Sequence, residues 1–131
     1  MWKEYVLFIV LFLVIDSLWL RGAYTLHLQT YRKVTNTQGA IDLNKTAAFM
    51  FYALAPLGYF VFVQPLAKND PVLTFQYGSL LGLLMYASYD LTSKAIYNQA
   101  YDWSYACMDM AWGAFVFGFV SWSLLIVQQY V

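Results

Sequence analysis

Four stretches of this chain are long and apolar enough to cross a bilayer, and this limits the possible fold more than any other feature. A helix rises about 1.5 Å per residue, so about 20 apolar residues span a hydrocarbon core of about 30 Å. The stretches lie at about residues 5–28, 46–66, 71–97 and 103–128. Of the 131 residues 62% are hydrophobic and only 11% charged, against about a quarter charged in soluble proteins. The expected fold is therefore all-α: a polytopic, multi-pass integral protein of the cell or inner membrane. Residues 1–131 are expected to form one domain of four transmembrane helices in an antiparallel bundle, with the lipid bilayer as its surroundings. Lys3 before an apolar run resembles the start of a signal peptide. Asp16 interrupts that run, and no small-x-small cleavage site follows, so it reads as a retained helix.

Charge and cysteine count exclude several functions. Seven basic and seven acidic side chains cancel, so there is no basic footprint and nucleic acid is not an expected partner. A lone Cys107 cannot form an internal disulfide, and a lone His27 cannot build a multi-histidine metal site. Neither a metal nor a cofactor is expected. His27 reads as an interfacial residue, and Trp2, Trp103 and Trp122 as interfacial anchors.

Capping chemistry sets the helix ends. In "NDPV", Asp70 reads as an N-cap and Pro71 as the first helical residue. Asp102 before "WSYACM" can cap the fourth helix in the same way, leaving a short connector from Asn98 to Tyr101 and making the last two helices a hairpin. The connector from Gln29 to Lys45 is longer, contains the turn signal "NTQG", and has room for an amphipathic extension of the first helix through Tyr31 and Arg32. Pro56 removes a backbone donor inside the second helix and predicts a kink. The pairs Gly78 with Gly82, Cys107 with Ala111, and Ala114 with Gly118 fit close helix packing. Loop cations favour both termini outside, with the loops around Arg32 and Gln99 in the cytoplasm.

Three carboxylates lie inside the apolar stretches. Asp16 is about 17 Å along its helix, Asp90 about 28 Å along the third, and Asp109 about 9 Å into the fourth from the opposite side. All three thus fall in the same half of the bilayer. Helical spacing puts Tyr86, Asp90, Ser93, Lys94 and Tyr97 in one polar stripe. It groups Asp16 with Trp19 and His27, and Asp109 with Tyr105, Trp112 and Gly113. Asp90 and Lys94, at i and i+4 with the acid first, are expected to pair, and Arg21 is expected to snorkel or to reach an acid on another helix.

A charge in mid-membrane costs about 2.5–3.5 kcal/mol on insertion scales, so such residues face the bundle interior and mark candidate sites. The acids outnumber nearby cations, and a carboxylate without a cation can bind and release a proton. The expected polar site comprises Asp16, Asp90, Asp109, Lys94, Arg21, Tyr86, Tyr97, Trp19 and Trp112. The favoured role is a small transporter or channel for protons, ions or a small solute. Four helices leave little room for a private pore, which favours a homo-oligomer. The alternative is an accessory or structural membrane subunit in which the charged residues are interhelical glue. A lipid head-group enzyme ranks below both, because no His, Cys or Ser nucleophile constellation is present; catalytic residues are not expected.

The motifs "DSLWL", "YDLTS" and "DMAWG", with "FYALAPLGYFVFVQPLA" between them, resemble a family of small membrane proteins catalogued as domain-of-unknown-function family twenty-one seventy-seven. The resemblance covers nearly the whole chain and departs from the family pattern at Ser93 and Lys94. It implies a four-helix membrane fold with signature positions at Asp16, Trp19, Asp90, Thr92, Asp109, Trp112 and Gly113, and it implies no particular activity.

Overall fold

The computed structural model describes residues 2–130, which are helical almost throughout and contain no strand. The first expected helix, 5–28, is in fact two. Helix α1 spans Trp2–Gly22 and α2 spans Tyr24–Thr35. Between them Ala23 leaves helical geometry, at φ −110° and ψ 22°. Gly22 precedes it, and glycine is a poor helix former. Bonds from Ala23 N to Trp19 O and from His27 N to Ala23 O carry the chain across the break. The expected extension through Tyr31 and Arg32 therefore exists, but as a separate helix. It ends at Asn36, whose left-handed φ of 54° lets its N–H return to the Arg32 carbonyl.

Asn44 caps α3, Lys45–Gly58, by accepting from Ala47 N at 3.1 Å. Beyond Pro56, where a kink is expected, the ladder changes register into a π-helical turn at Tyr59–Val63, and α4, Gln64–Ala67, completes the segment. Helix α5 begins at Pro71 under the Asp70 cap, which accepts from Leu73 N at 2.9 Å, and runs to Tyr97. A 3₁₀ turn, Asn98–Ala100, leads to α6, Trp103–Tyr130. Asp102 does not cap α6 through its side chain. Its carboxylate instead pairs with Lys33 of α2 at 2.8 Å, because the break at Ala23 brings α2 against this connector.

Among the described residues three helical segments are long and apolar enough to cross a membrane: Trp2–Gly22, Lys45–Ala67 and Trp103–Tyr130. Helix α5 has 27 residues. It is more polar, carrying Gln76, Ser88, Asp90, Thr92 and Lys94 among others.

Helices α5 and α6 pack through glycines in opposite chain sense. A Cβ on Gly78 would sit 3.1 Å from the Gly118 Cα, and one on Gly82 would collide with the Gly113 carbonyl oxygen. Of the small-residue pairs expected from sequence, Gly78, Gly82 and Gly118 are used here, whereas Cys107 and Ala111 are exposed. The apolar core joins Phe8 and Phe12 of α1 to Tyr59, Val63, Phe117 and Leu124.

The buried face of α1 continues from Phe8 and Phe12 to Asp16, while Val10, Val14 and Leu18 on the open face are 48%, 59% and 64% exposed. A carboxylate turned inward behind an aliphatic outer surface is the arrangement that lipid, not water, stabilises.

Candidate functional site

Asp16 is the meeting point of four helices. It is 4% exposed and accepts from Trp112 Nε1 of α6 at 2.8 Å, from Tyr86 Oη of α5 at 3.4 Å, and from the Tyr52 hydroxyl of α3. Asp109, also buried, accepts from Trp19 Nε1 at 3.0 Å. The indoles of Trp19 and Trp112 stack between the two acids with centroids 5.7 Å apart. Asp90 is fully buried; its Oδ1 accepts from Tyr101 Oη at 2.5 Å, and its Oδ2 has no hydrogen-bond partner. The Asp109 carboxyl lies close enough to that of Asp90 to interact with it.

The expected cations are not part of this arrangement. Lys94 forms no ion pair with Asp90. Its ammonium donates to the Asn98 carbonyl at 2.9 Å and lies 5.3 Å from the Trp103 ring centroid. The cause is position. Lys94 occupies the last turn of α5, where carbonyls lack helical partners and attract cations, while the Asp90 carboxylate is turned into the bundle toward Tyr101. Arg21 is exposed and bonds to none of the acids. It lies on a different face from Asp16 and Trp19, next to the break at Ala23. Tyr97 is 45% exposed and does not touch the acids, so the polar stripe of α5 divides into an inner part, Tyr86, Asp90 and Ser93, and an outer part, Lys94 and Tyr97. The acids are thus answered by neutral hydroxyl and indole donors; among the described residues none of them pairs with Lys or Arg.

Two donors escaped the sequence reading. Tyr52 lies on a helix that carries no acid, and Tyr101 lies in a connector. The paired Trp19 and Trp112 donors do have a local signal, the shared Asp-x-x-Trp spacing of "DSLW" and "DMAW".

A cavity of about 350 Å³ opens on Asp109, with His27, Tyr86, Tyr89 and Tyr105 in its wall. A second, of about 320 Å³, shares Leu20, His27, Tyr89 and Tyr105 and extends toward Tyr31 and Tyr101. Between them His27 Nδ1 and Tyr105 Oη are hydrogen-bonded at 2.5 Å, and His27 Nε2 is buried without a partner. A further cavity, of about 570 Å³, lies between Pro71, Phe75 and Trp122 and has none of the acids in its wall. Among the described residues no three His, Cys, Asp or Glu side chains converge in a metal-holding group.

No curated protein and no solved structure matches the chain. A family model does, that of the predicted membrane protein family DUF2177, over residues 1–126. With that match across nearly the whole length and three membrane-length apolar helices, the chain is a multi-pass integral membrane protein and belongs to the DUF2177 family.

Proposed function

We propose that this protein is a small transporter or channel for protons, ions or a small solute, working through the carboxylate layer of Asp16, Asp90 and Asp109. Trp19, Trp112 and Tyr86 hold that layer, and Lys94, Arg21 and Tyr97 lie at its edge. One observation carries the reading: three buried acids from three helices are answered by neutral donors, and one of them, Asp109, opens on a cavity. Acids without an ammonium partner keep their capacity to take up a proton or a cation. In this reading residues 1–131 are one domain, α5 is the fourth span of an antiparallel bundle, both termini lie outside, and homo-oligomers form the conducting unit.

A second reading, an accessory subunit in which the acids are glue, draws support from the three donors that converge on Asp16. Reconstitution separates the two. In liposomes with a trapped pH dye and an imposed proton gradient, Asp90→Asn should stay folded and lose pH-dependent flux, since an amide cannot exchange a proton at physiological pH. Equal flux from both forms, at matched insertion, would move the weight to the structural role.

A further inference from the structure

We propose that the two adjoining cavities beside His27 form a binding site for a small organic cation, an ammonium head held against tyrosine rings with Asp109 as its counter-charge. The walls carry the inference. Tyr31, Tyr89, Tyr97, Tyr101 and Tyr105 line one cavity, and Tyr89 and Tyr105 continue into the other, which ends at Asp109. Among the described residues no lysine or arginine lines either cavity. Of the cations at this end, Lys94 is engaged on Asn98 and the Trp103 ring, Lys33 on Asp102 and Arg32 on the Gly39 carbonyl, while Arg21 is exposed.

Neighbouring rings stand nearly at right angles: Tyr101 and Tyr105 at 80° with centroids 5.4 Å apart, and Tyr89 and Tyr101 at 77° with centroids 6.5 Å apart. Rings set this way have planes of different direction, and an aromatic cage for a quaternary ammonium is likewise built from rings in different planes. Asp109 is only 8% exposed, accepts from the Trp19 indole and lies beside the Asp90 carboxyl. A desolvated carboxylate in that state favours a cationic ligand over a neutral one. At about 320 and 350 Å³ the cavities fall at the small end of ligand pockets, which fits a compact head group and not a long drug-like molecule.

The site uses Asp109 of the proposed conducting layer and so rests on that reading, but binding needs no gradient. The experiment is calorimetric titration of the full chain in nanodiscs. The probes are choline and its uncharged carbon isostere, 3,3-dimethylbutan-1-ol. Choline should bind at least about tenfold more tightly than the isostere. Asp109→Asn and Tyr89→Leu should each weaken it by about tenfold, while Tyr89→Phe, which keeps the ring, should not. Tyr89 is 64% exposed, so its variants remain informative if Asp109→Asn fails to fold. Equal binding of the isostere, or no binding of choline to the folded protein, overturns the proposal. Choline binding without any flux in liposomes would keep this site and remove the transport reading; proton flux without choline binding would do the reverse.

Discussion

Trp19 and Trp112 clasp α1 to α6 by exchanging hydrogen bonds: each indole donates to the aspartate three residues before the other. Trp112 reaches Asp16 at 2.8 Å and Trp19 reaches Asp109 at 3.0 Å, with the two rings stacked at 19°. The two Asp-x-x-Trp units thus act as one element, and neither acid is answered from its own helix within that pair.

Trp112→Phe should therefore keep the stack and lose one donor, lowering stability by about 1–2 kcal/mol. Unfolding in mixed micelles measures it. Combined with Trp19→Phe in a double-mutant cycle, the two changes should couple by at least about 0.5 kcal/mol. Strict additivity would mean that the two bonds act independently.

The glycine contact between α5 and α6 makes a sharper steric prediction. Gly82→Ala places a methyl group against the Gly113 carbonyl, which belongs to backbone and cannot swing aside, whereas a Cβ on Gly22 meets nothing within 4 Å. The first change should destabilise by about 1–3 kcal/mol. Gly22→Ala should be neutral or stabilising, since alanine is the better helix former. Thermal aggregation of the two variants in detergent ranks them; a Gly82→Ala protein as stable as the parent would contradict this packing.

Lys94→Met tests whether that lysine balances Asp90. With its ammonium on the Asn98 carbonyl and the Trp103 ring, its loss should cost under about 1 kcal/mol. A hidden Asp90 ion pair would make the loss several times larger, about 3–5 kcal/mol for a broken buried pair. The same micelle titration distinguishes the two.

Tyr101, in the connector before α6, is 2% exposed and donates to Asp90. Burial, and then the bond to Asp90, push its phenol above the ordinary tyrosine value. The folded protein therefore holds this proton where the unfolded chain, near about pH 10, releases it. The stability linked to Tyr101 is complete below that pH and is lost as pH rises beyond it. Tyr101→Phe should flatten the alkaline fall in stability, followed by circular dichroism between about pH 9 and 12. An unchanged alkaline profile would mean that Tyr101 titrates normally.

Cysteines placed at Asn36, Asn69 and Gln99 should react from two sides of the membrane, the first and third together and Asn69 opposite. Labelling of all three from one side would mean that the span count is wrong, and Asn69 reacting together with Gln99, opposite Asn36, would exclude α5 as a span.

Much of the helical framework was legible in order of residues alone. Segment length against bilayer thickness locates the apolar helices, Asp70 and Pro71 place the start of α5, and helical spacing turns Asp16, Asp90 and Asp109 inward. These are local properties, decided within a few turns of chain. The break at Ala23 was not legible, because Gly22 and Ala23 occur in continuous helices too and the choice depends on what α2 docks against.

Only the tertiary structure decided what answers the acids. Asp16 takes its donors from residues 36, 70 and 96 positions away, and Asp109 from one 90 positions away. Spacing within one helix cannot reveal such partners. It pointed instead to Lys94, the nearest cation to Asp90, and the folded chain turns that ammonium outward, since a free carbonyl and an aromatic face at the helix end hold it without the desolvation an inward turn would cost.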